Sequence, residues 1–376
     1  MKVVVAMDSF KGSLTSMEAG YAAGEGILAA LPDAEVVVRP LADGGEGTME
    51  VLAEDLGGES VQVKVSDPLG RTIMAQYVIL PDGKTAVMEM AQAAGLTLLA
   101  EEERNPYKTT TYGVGEMIRD AIAKGCRDFI IGIGGSATND GGIGMLTALG
   151  FCFYDEKGKE LQSGAESLGK VIKISAEEML PQVSECSFRI ACDVENPLCG
   201  ENGATRIYAP QKGLDLKDCV AVDKTMEAYA DVAEQFSGRS CRDIPGAGAA
   251  GGMGFAFVNF LGASLVRGAE LVLQVTELEK YLADADIFIT GEGRMDGQTA
   301  KGKAPVIAAR RATSYKCKVY AFAGKVTEEA KISLAEEIDE MYAITPEEMQ
   351  MDSAMEKDTA KRNMKIKVNE VFARFT

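Results

Sequence analysis

The stretch VVVAMDSFKGSLTSME, at positions 3–18, indicates how the fold begins. Its first five residues are apolar and three of them are β-branched, which is typical of a strand buried in a parallel sheet. A polar loop from Asp8 to Ser13 follows, and Thr15 and Glu18 have the spacing of a capping box at a helix start. The order strand, loop, helix is the repeating unit of α/β proteins.

The same order returns at both ends of the chain. Glu35–Pro40 is a second predicted strand, and a glycine loop over Asp43–Gly47 and another helix follow it. Helices separate three further predicted strands near the end of the sequence: Asp286–Thr290, Lys318–Ala323 and Met341–Ile344. Five strands of one type therefore come from the two ends of the chain. We expect residues 1–60 and 280–376 to form one flavodoxin-like α/β domain with a parallel sheet.

Residues 61–279 have a different pattern. Val61–Val65 and Ile73–Leu80 flank a turn and predict an antiparallel hairpin. Three more elements are expected in this region: a helix over Thr111–Lys124 and buried strands over Phe129–Ile133 and Phe188–Cys192. The region is therefore expected to be an inserted α/β domain with a mixed sheet, and the active site is expected in the cleft between the two domains.

The composition excludes several classes of protein. Histidine is absent from all 376 residues, which excludes histidine-based triads and H-E-x-x-H zinc sites. A net charge of −18 disfavours nucleic acid and anionic membranes as partners. The eight cysteines show no C-x-x-C spacing, so we expect free thiols in a reducing compartment and a cytoplasmic location. Catalysis must use carboxylates, Lys, Arg, backbone N–H groups or a metal ion.

The glycine-rich range Gly132–Gly142 permits two interpretations. It begins with G-x-G-x-x-A after a strand, and Asp155 lies near the position of the ribose-binding acid of a dinucleotide site. However, the sequence NDGG at 139–142 interrupts the place where the first helix of a dinucleotide fold should run. We therefore favour a phosphate-binding loop. Its candidate cofactor-binding residues are Gly134, Gly135, Ser136, Thr138 and Asn139.

A second G-x-G-x-x-G spans Gly246–Gly251. It follows a charged, turn-like segment instead of a strand, so the context of a dinucleotide site is missing. Gly246 and Gly248 are candidates for a phosphate cradle, and close packing of a helix explains the same pattern equally well.

The range Gly291–Lys303, GEGRMDGQTAKGK, carries the strongest local signal. It contains G-x-x-x-x-G-K, but Ala304 stands where a P-loop needs Ser or Thr. Glu292 and Asp296 are candidate metal ligands, and the basic side chains beside them can neutralise phosphate charge. Gly291 and Lys303 are candidates for cofactor binding, and a solvated charged turn is the alternative.

The loops after the first two strands are also candidate sites. In Asp8–Ser13, Lys11 lies beside a helix N-terminus, where free N–H groups attract an anion. In Asp43–Gly47, Asp43 is a candidate ligand for Mg²⁺. The alternatives are an ordinary loop with a solvated lysine and a tight turn with an acidic helix cap.

Seven motifs, in one order, resemble the bacterial type I glycerate kinase family. They are DSFKGSL, ADGGEGT, GIGGSATNDGG, ACDVENPL, APQKG, PGAGAAGG and TGEGRMDGQT, and TPEEM at 345–349 extends the likeness. The resemblance implies an ATP-dependent phosphotransferase that uses Mg²⁺ and converts glycerate to 2-phosphoglycerate. It also implies a flavodoxin-like domain with an inserted domain.

This resemblance gives the candidate residues roles in phosphoryl transfer. Asp193, after a buried strand, is the first candidate to orient or deprotonate the glycerate hydroxyl, and Asp8 is a second carboxylate for that role. Lys11 or Arg294 is expected to bind the glycerate carboxylate. The candidate Mg²⁺ ligands are Asp43, Glu292 and Asp296. A nicotinamide-dependent hydroxy-acid dehydrogenase and a non-catalytic sugar-acid binding protein remain alternatives, and the oligomeric state stays open.

Overall fold

A computed structural model describes residues 1–42, 48, 52, 56–162 and 164–375. The strands in these ranges are β1 (Lys2–Met7), β2 (Glu35–Pro40), β3 (Glu59–Ser66), β4 (Thr72–Ile79), β5 (Thr85–Glu89), β6 (Asp128–Gly132), β7 (Cys152–Tyr154), β8 (Lys173–Ser175), β9 (Ser187–Ala191), β10 (Ser264–Val266), β11 (Ile287–Thr290), β12 (Arg294–Met295), β13 (Lys318–Ala323), β14 (Lys325–Val326) and β15 (Glu340–Ala343). The α-helices are Ser16–Ala30, Ala91–Ala94, Tyr112–Ala123, Ile143–Ala148, Ala204–Tyr208, Cys219–Ser237, Ala249–Leu261, Gly268–Val275, Leu278–Leu282, Ala304–Ser314, Glu328–Ser333, Met351–Met355 and Lys357–Phe372.

The chain divides into two compact units. The first unit combines Met1–Leu56 with Ala269–Thr376, and the second unit is Gly57–Gly268. The protein is therefore a mixed α/β protein in which each unit has its own sheet.

The first unit is built on a parallel sheet with the strand order β2-β1-β11-β13-β15. β1 is buried from Val3 to Met7, as its apolar run predicts. Because successive side chains of a strand point to opposite faces, Val3, Val5 and Met7 enter one core and Val4 and Ala6 enter another. Helices Ser16–Ala30 and Lys357–Phe372 contribute to the first core, and helix Ala304–Ser314 contributes to the second.

The first helix begins at the predicted capping box. The backbone N–H of Glu18 donates to Thr15 Oγ1, and the backbone N–H of Thr15 donates to Glu18 Oε2, both at 3.2 Å. Glu18 also pairs with Lys357 and Lys361 of the last helix. Burial raises the pKa of Glu18, but the hydrogen bonds from these lysines outweigh it and lower the pKa to about 2. One carboxylate therefore fixes the helix start and ties both chain ends together.

The second unit contains a mixed six-stranded sheet with the order β10-β9-β6-β5-β4-β3. β3 and β4 form the predicted antiparallel hairpin, and β5, β6, β9 and β10 run parallel. In register, Gly132 at the end of β6 lies between Glu89 of β5 and Ala191 of β9. The carboxyl ends of three neighbouring strands are thus aligned at one edge of this sheet.

All eight cysteines lie in the described ranges and are free thiols, as predicted. None of the helices in those ranges combines the length and the apolar character that crossing a membrane requires.

Candidate functional sites

The first unit contains a cavity of about 380 Å³ at the carboxyl ends of its parallel strands. Residues that follow β1, β11, β13 and β15 line it, among them Asp8, Glu292, Gly324 and Thr345. The chain order in this sheet changes direction between β1 and β11, and open α/β sheets bind ligands at such a position. The volume is within the range of small-molecule pockets.

The lining of this cavity brings together most of the predicted residues of the first unit. Its predicted polar residues are Asp8, Lys11, Glu292, Arg294, Asp296 and Lys303, and Lys325 joins them. Its apolar part comes from Phe10, Ile344, Met351, Ala354, Met355 and Ala360. The lining thus has four cationic side chains against three carboxylates, Asp8, Glu292 and Asp296. This excess of one positive charge, in a protein with a net charge of −18, suits an anionic ligand.

Glu292 is held inside its loop by two contacts. Its side chain is 8% exposed; Oε1 accepts from Thr299 Oγ1 at 2.7 Å, and Oε2 accepts from Lys303 Nζ at 2.8 Å. Both oxygens are therefore occupied by protein donors, so Glu292 orders the loop from Gly291 to Lys303. Its role as a metal ligand, and that of Lys303 toward phosphate, remain predictions, since each carboxylate oxygen keeps a second lone pair and the ammonium group has three donors.

Asp296 and Arg294 lie at the more accessible side of the same loop. Asp296 Oδ1 accepts from the backbone N–H of Gln298, and Oδ2 lies 3.2 Å from Arg294 Nε. The guanidinium side chain is 62% exposed, so it can reach a ligand. One or two carboxylates beside substrate phosphates suffice for Mg²⁺, and Asp296 fits that donor set.

Gly291 and Asp43 are the two remaining predicted residues of the first unit. Gly291 is needed for packing, because a methyl group there would lie 1.8 Å from the carbonyl oxygen of Phe322 in β13. Asp43 lies outside the described residues. Within the described ranges, no group of three or more cysteine and carboxylate side chains has the arrangement of a metal site.

The loop Gly134–Asn139 follows β6 in the second unit. Its backbone is fixed by two hydrogen bonds: Leu96 N–H donates to the carbonyl of Gly135, and Ala137 N–H donates to the carbonyl of Ala94, both at 2.8 Å. A methyl group on Gly134 would meet no atom within 4 Å. The loop is therefore anchored on one side and has open space at Gly134, as a ligand-binding loop requires.

The polar side chains of this loop are buried and only partly satisfied. Asn139 Nδ2 donates to Thr205 Oγ1 at 3.0 Å. Thr138 Oγ1 and Asn139 Oδ1 are buried and have no hydrogen-bond partner among the described residues. Since nearly all buried polar groups are paired in native proteins, these two oxygens are available to accept a hydrogen bond from a water molecule or a ligand.

Lys212 is a functional candidate that the sequence analysis missed. Its side chain is 2% exposed, and Nζ donates to Ser136 Oγ at 2.6 Å and to the carbonyl oxygen of Thr138 at 2.7 Å. Burial lowers its pKa to about 7, and the charge of Asp140 opposes that shift. The available signal was the motif APQKG at 209–213, but its spacing gave no indication that the lysine is buried beneath another loop.

Gly246 and Gly248 are explained by close packing, the alternative that the sequence left open. A methyl group on Gly248 would lie 2.2 Å from the Pro197 carbonyl oxygen, and one on Gly246 would lie 3.0 Å from Cys192 Sγ. The same segment supports the loop above, because the carbonyl of Gly251 accepts from Gly141 N–H at 3.0 Å. A phosphate contact of Gly246 and Gly248 stays a prediction.

Asp193 follows β9, the strand beside β6, and therefore leaves the sheet at the same edge as the Gly134–Asn139 loop. Its side chain is exposed, and Oδ1 accepts from the backbone N–H of Gly268 at 2.9 Å. Gly268 begins the helix Gly268–Val275, and a carboxylate at a helix N-terminus is stabilised by the helix dipole. The geometry thus suits both a capping role and a role toward substrate.

Comparisons with known proteins agree over almost the whole chain. The sequence model of the glycerate kinase family matches residues 3–376. A glycerate kinase of Halalkalibacterium halodurans is 42% identical, over 94% of this chain and 93% of its own length. The glycerate 2-kinase of Escherichia coli is 43% identical, over 92% of this chain and 90% of its own.

A solved structure gives the same result. A crystal structure from Salmonella typhimurium, provisionally assigned as glycerate kinase 2, matches with a TM-score of 0.90 and 39% identity, and the match covers 100% of this chain and 98% of that one. The chain belongs to the glycerate kinase family.

Proposed function

We propose that the chain transfers the γ-phosphoryl group of ATP to a hydroxyl group of glycerate and that the product is 2-phosphoglycerate. The match of the glycerate kinase family over residues 3–376 is the observation that carries the activity. The similarity to a glycerate 2-kinase supports the position of transfer. In this reaction the hydroxyl oxygen bonds to the γ-phosphorus, the bond from that phosphorus to its bridging oxygen breaks, and ADP and a proton leave.

The first unit is proposed to be a flavodoxin-like domain from both chain ends, with the second unit inserted. Counted along the first unit alone, its strand order is 2-1-3-4-5, the flavodoxin order. The chain leaves this unit after Leu56 and returns to it at Ala269, which supports an insertion. A cytoplasmic location is proposed because all eight cysteines are free thiols, which is typical of a reducing compartment.

The loop Gly134–Asn139 is proposed to hold the phosphates of ATP. Its open space at Gly134 and its buried, partly satisfied polar side chains support this role. Phosphoryl transfer depends mainly on positioning and charge neutralisation, so a rigid loop with hydrogen-bond donors is the feature that it needs.

Lys11 or Arg294 is proposed to bind the glycerate carboxylate. Both line the cavity of the first unit, and Arg294 can form a bidentate pair with a carboxylate. Asp296 is proposed to hold Mg²⁺ together with phosphate oxygens, and Asp43 and Glu292 remain further candidate ligands. When bound, Mg²⁺ would neutralise the negative charge that phosphoryl transfer develops.

Asp193 is proposed to orient or deprotonate the glycerate hydroxyl, with Asp8 as the alternative carboxylate. With no histidine in the sequence, a carboxylate is the first choice for this task. Asp193 is exposed and follows β9, so it lies at the same edge of the sheet as the Gly134–Asn139 loop. This position supports the proposed role.

The two alternative functions receive no support. A dinucleotide site would need a long helix after its glycine loop, whereas the helix after Gly142 is only Ile143–Ala148. The relatives that carry an assignment are kinases, which disfavours a protein that only binds a sugar acid.

A coupled assay of ADP release tests the proposal. The protein is incubated with ATP and Mg²⁺, with D-glycerate, with L-glycerate and with neither. We expect ADP release that depends on glycerate and stops on removal of Mg²⁺ by a chelator. Release at the same rate without glycerate would overturn the proposed acceptor.

A further inference from the structure

Lys212 is unusual because its ammonium group is buried beneath the Gly134–Asn139 loop without forming an ion pair in the described part of the chain. Lysines are almost never fully buried unless they are paired. Here the hydrogen-bond partners among the described residues are neutral: Ser136 Oγ and the carbonyl oxygen of Thr138. Such a costly arrangement is typical of a residue that is retained for function.

The hydrogen bond to Ser136 has a direction. An ammonium group has only donors, so Ser136 Oγ must accept from Lys212, and its own hydroxyl proton must point toward a different acceptor. Ser136 lies two residues after Gly134, where an added methyl group would meet no atom within 4 Å. The hydroxyl therefore has its own hydrogen available for a further acceptor, in a loop whose Gly134 is exposed.

We propose that protonated Lys212 is a positioning residue, which turns the Ser136 hydroxyl so that it donates to a phosphate oxygen of ATP. This inference rests on the proposed function, because it takes ATP as the ligand of the loop. A neutral amine carries a lone pair and can accept from Ser136, which would turn the hydroxyl proton inward. ATP binding at this loop therefore weakens when Lys212 loses its proton.

Lys212 loses its proton within the pH range in which enzyme kinetics can be measured. Burial lowers the pKa of Lys212 to about 7. The charged group that acts on it is Asp140, whose carboxylate accepts from Thr111, Gly142 and Gly144 and stays fixed in the same loop. Burial raises the pKa of Asp140, against the effect of these hydrogen bonds.

The test is the pH dependence of kcat/KM for ATP, from about pH 6 to about pH 9, in the wild type, Lys212→Arg and Ser136→Ala. In the wild type we expect kcat/KM to fall above about pH 7, by up to about tenfold for each pH unit. Arginine stays charged throughout, so Lys212→Arg should lose this fall. Ser136→Ala should have a kcat/KM lowered by about ten- to a hundredfold at low pH and a flat profile.

Controls separate this effect from others. ATP itself releases a proton near pH 6, so the comparison with Lys212→Arg, and not the wild-type curve alone, carries the conclusion. Lys217→Arg makes the same change at a lysine that is 75% exposed and should keep the wild-type profile. KM for glycerate should move less than KM for ATP, whereas a purely structural defect would change both.

Each outcome decides the inference. A wild-type fall in kcat/KM that persists in Ser136→Ala overturns it, as does its persistence in Lys212→Arg. If Lys212→Arg does not fold, Ser136→Ala decides alone, since that change removes one hydroxyl. A wild type that releases no ADP with glycerate contradicts the proposed function instead.

Discussion

Lys303 Nζ lies 2.8 Å from Glu292 Oε2 and thereby joins the two ends of the glycine-rich loop that follows β11. The carboxylate side chain is 8% exposed and the lysine side chain 41%, and both residues line the cavity. Removal of one partner from a buried pair leaves the other charge uncompensated. This ion pair therefore holds together the two ends of the loop, which lies beside the predicted anion site.

Lys303→Met should lower the free energy of unfolding by about 1–3 kcal/mol, because it leaves Glu292 buried with one neutral donor. Lys303→Arg keeps the charge and serves as the matched control. Urea unfolding of Lys303→Met, of Glu292→Gln and of the double variant measures the coupling, and Lys303→Arg is unfolded beside them. Purely additive losses in the double variant would contradict an interaction between these side chains.

Lys11→Ala should raise KM for glycerate by roughly tenfold and change KM for ATP much less, because it removes a cation for the glycerate carboxylate. Lys280→Ala, at an exposed ion pair of the same unit, is the control. The measurement is a set of initial rates over both substrates. A raised KM for ATP with an unchanged KM for glycerate would place the nucleotide phosphates at Lys11.

The wild type should become more stable relative to Lys212→Met as the pH rises from about 7 toward 10. Burial lowers the pKa of Lys212 to about 7 in the folded chain, against an ordinary lysine value of 10.5, so the unfolded state binds more protons in this interval. The additional slope is at most about 1.4 kcal/mol per pH unit. Equal slopes of unfolding free energy in the two proteins would show that Lys212 keeps an ordinary pKa.

Local patterns predicted the elements that local sequence determines. β2 and β13 have the predicted bounds, and the first helix has the predicted capping box. β5 (TAVME) and β10 (SLV) were missed, since their uninterrupted apolar runs are only three and two residues long.

The sequence predicted site residues only where a chemically suitable side chain directly follows the end of a strand. Strand ends in a parallel sheet brought Asp8 and Glu292 to one cavity. The bond from Gly268 to Asp193 spans 75 residues, and the bond from Lys212 to Ser136 spans 76. No spacing along the sequence encodes such contacts, so they depend on the packing of the whole unit.

Asp193→Asn should lower kcat by roughly 10²–10⁴, the usual worth of a general base, with little change in the melting temperature. Asn keeps an oxygen that can accept from Gly268 and removes only the charge. Initial rates and thermal unfolding of the same sample test this prediction. Near-normal kcat with a lowered melting temperature would assign Asp193 to the helix cap and move the catalytic role to Asp8, Asp43 or Asp296.

A phosphorus NMR time course with ATP, Mg²⁺ and D-glycerate tests the central claim most directly. We expect the γ-phosphate resonance of ATP to disappear while the resonances of ADP and of a phosphomonoester of glycerate grow in equal amounts. The proton coupling of that phosphomonoester identifies the hydroxyl, and a single coupled proton indicates 2-phosphoglycerate. Unchanged ATP, or inorganic phosphate as the only product with both enantiomers of glycerate, would contradict the claim.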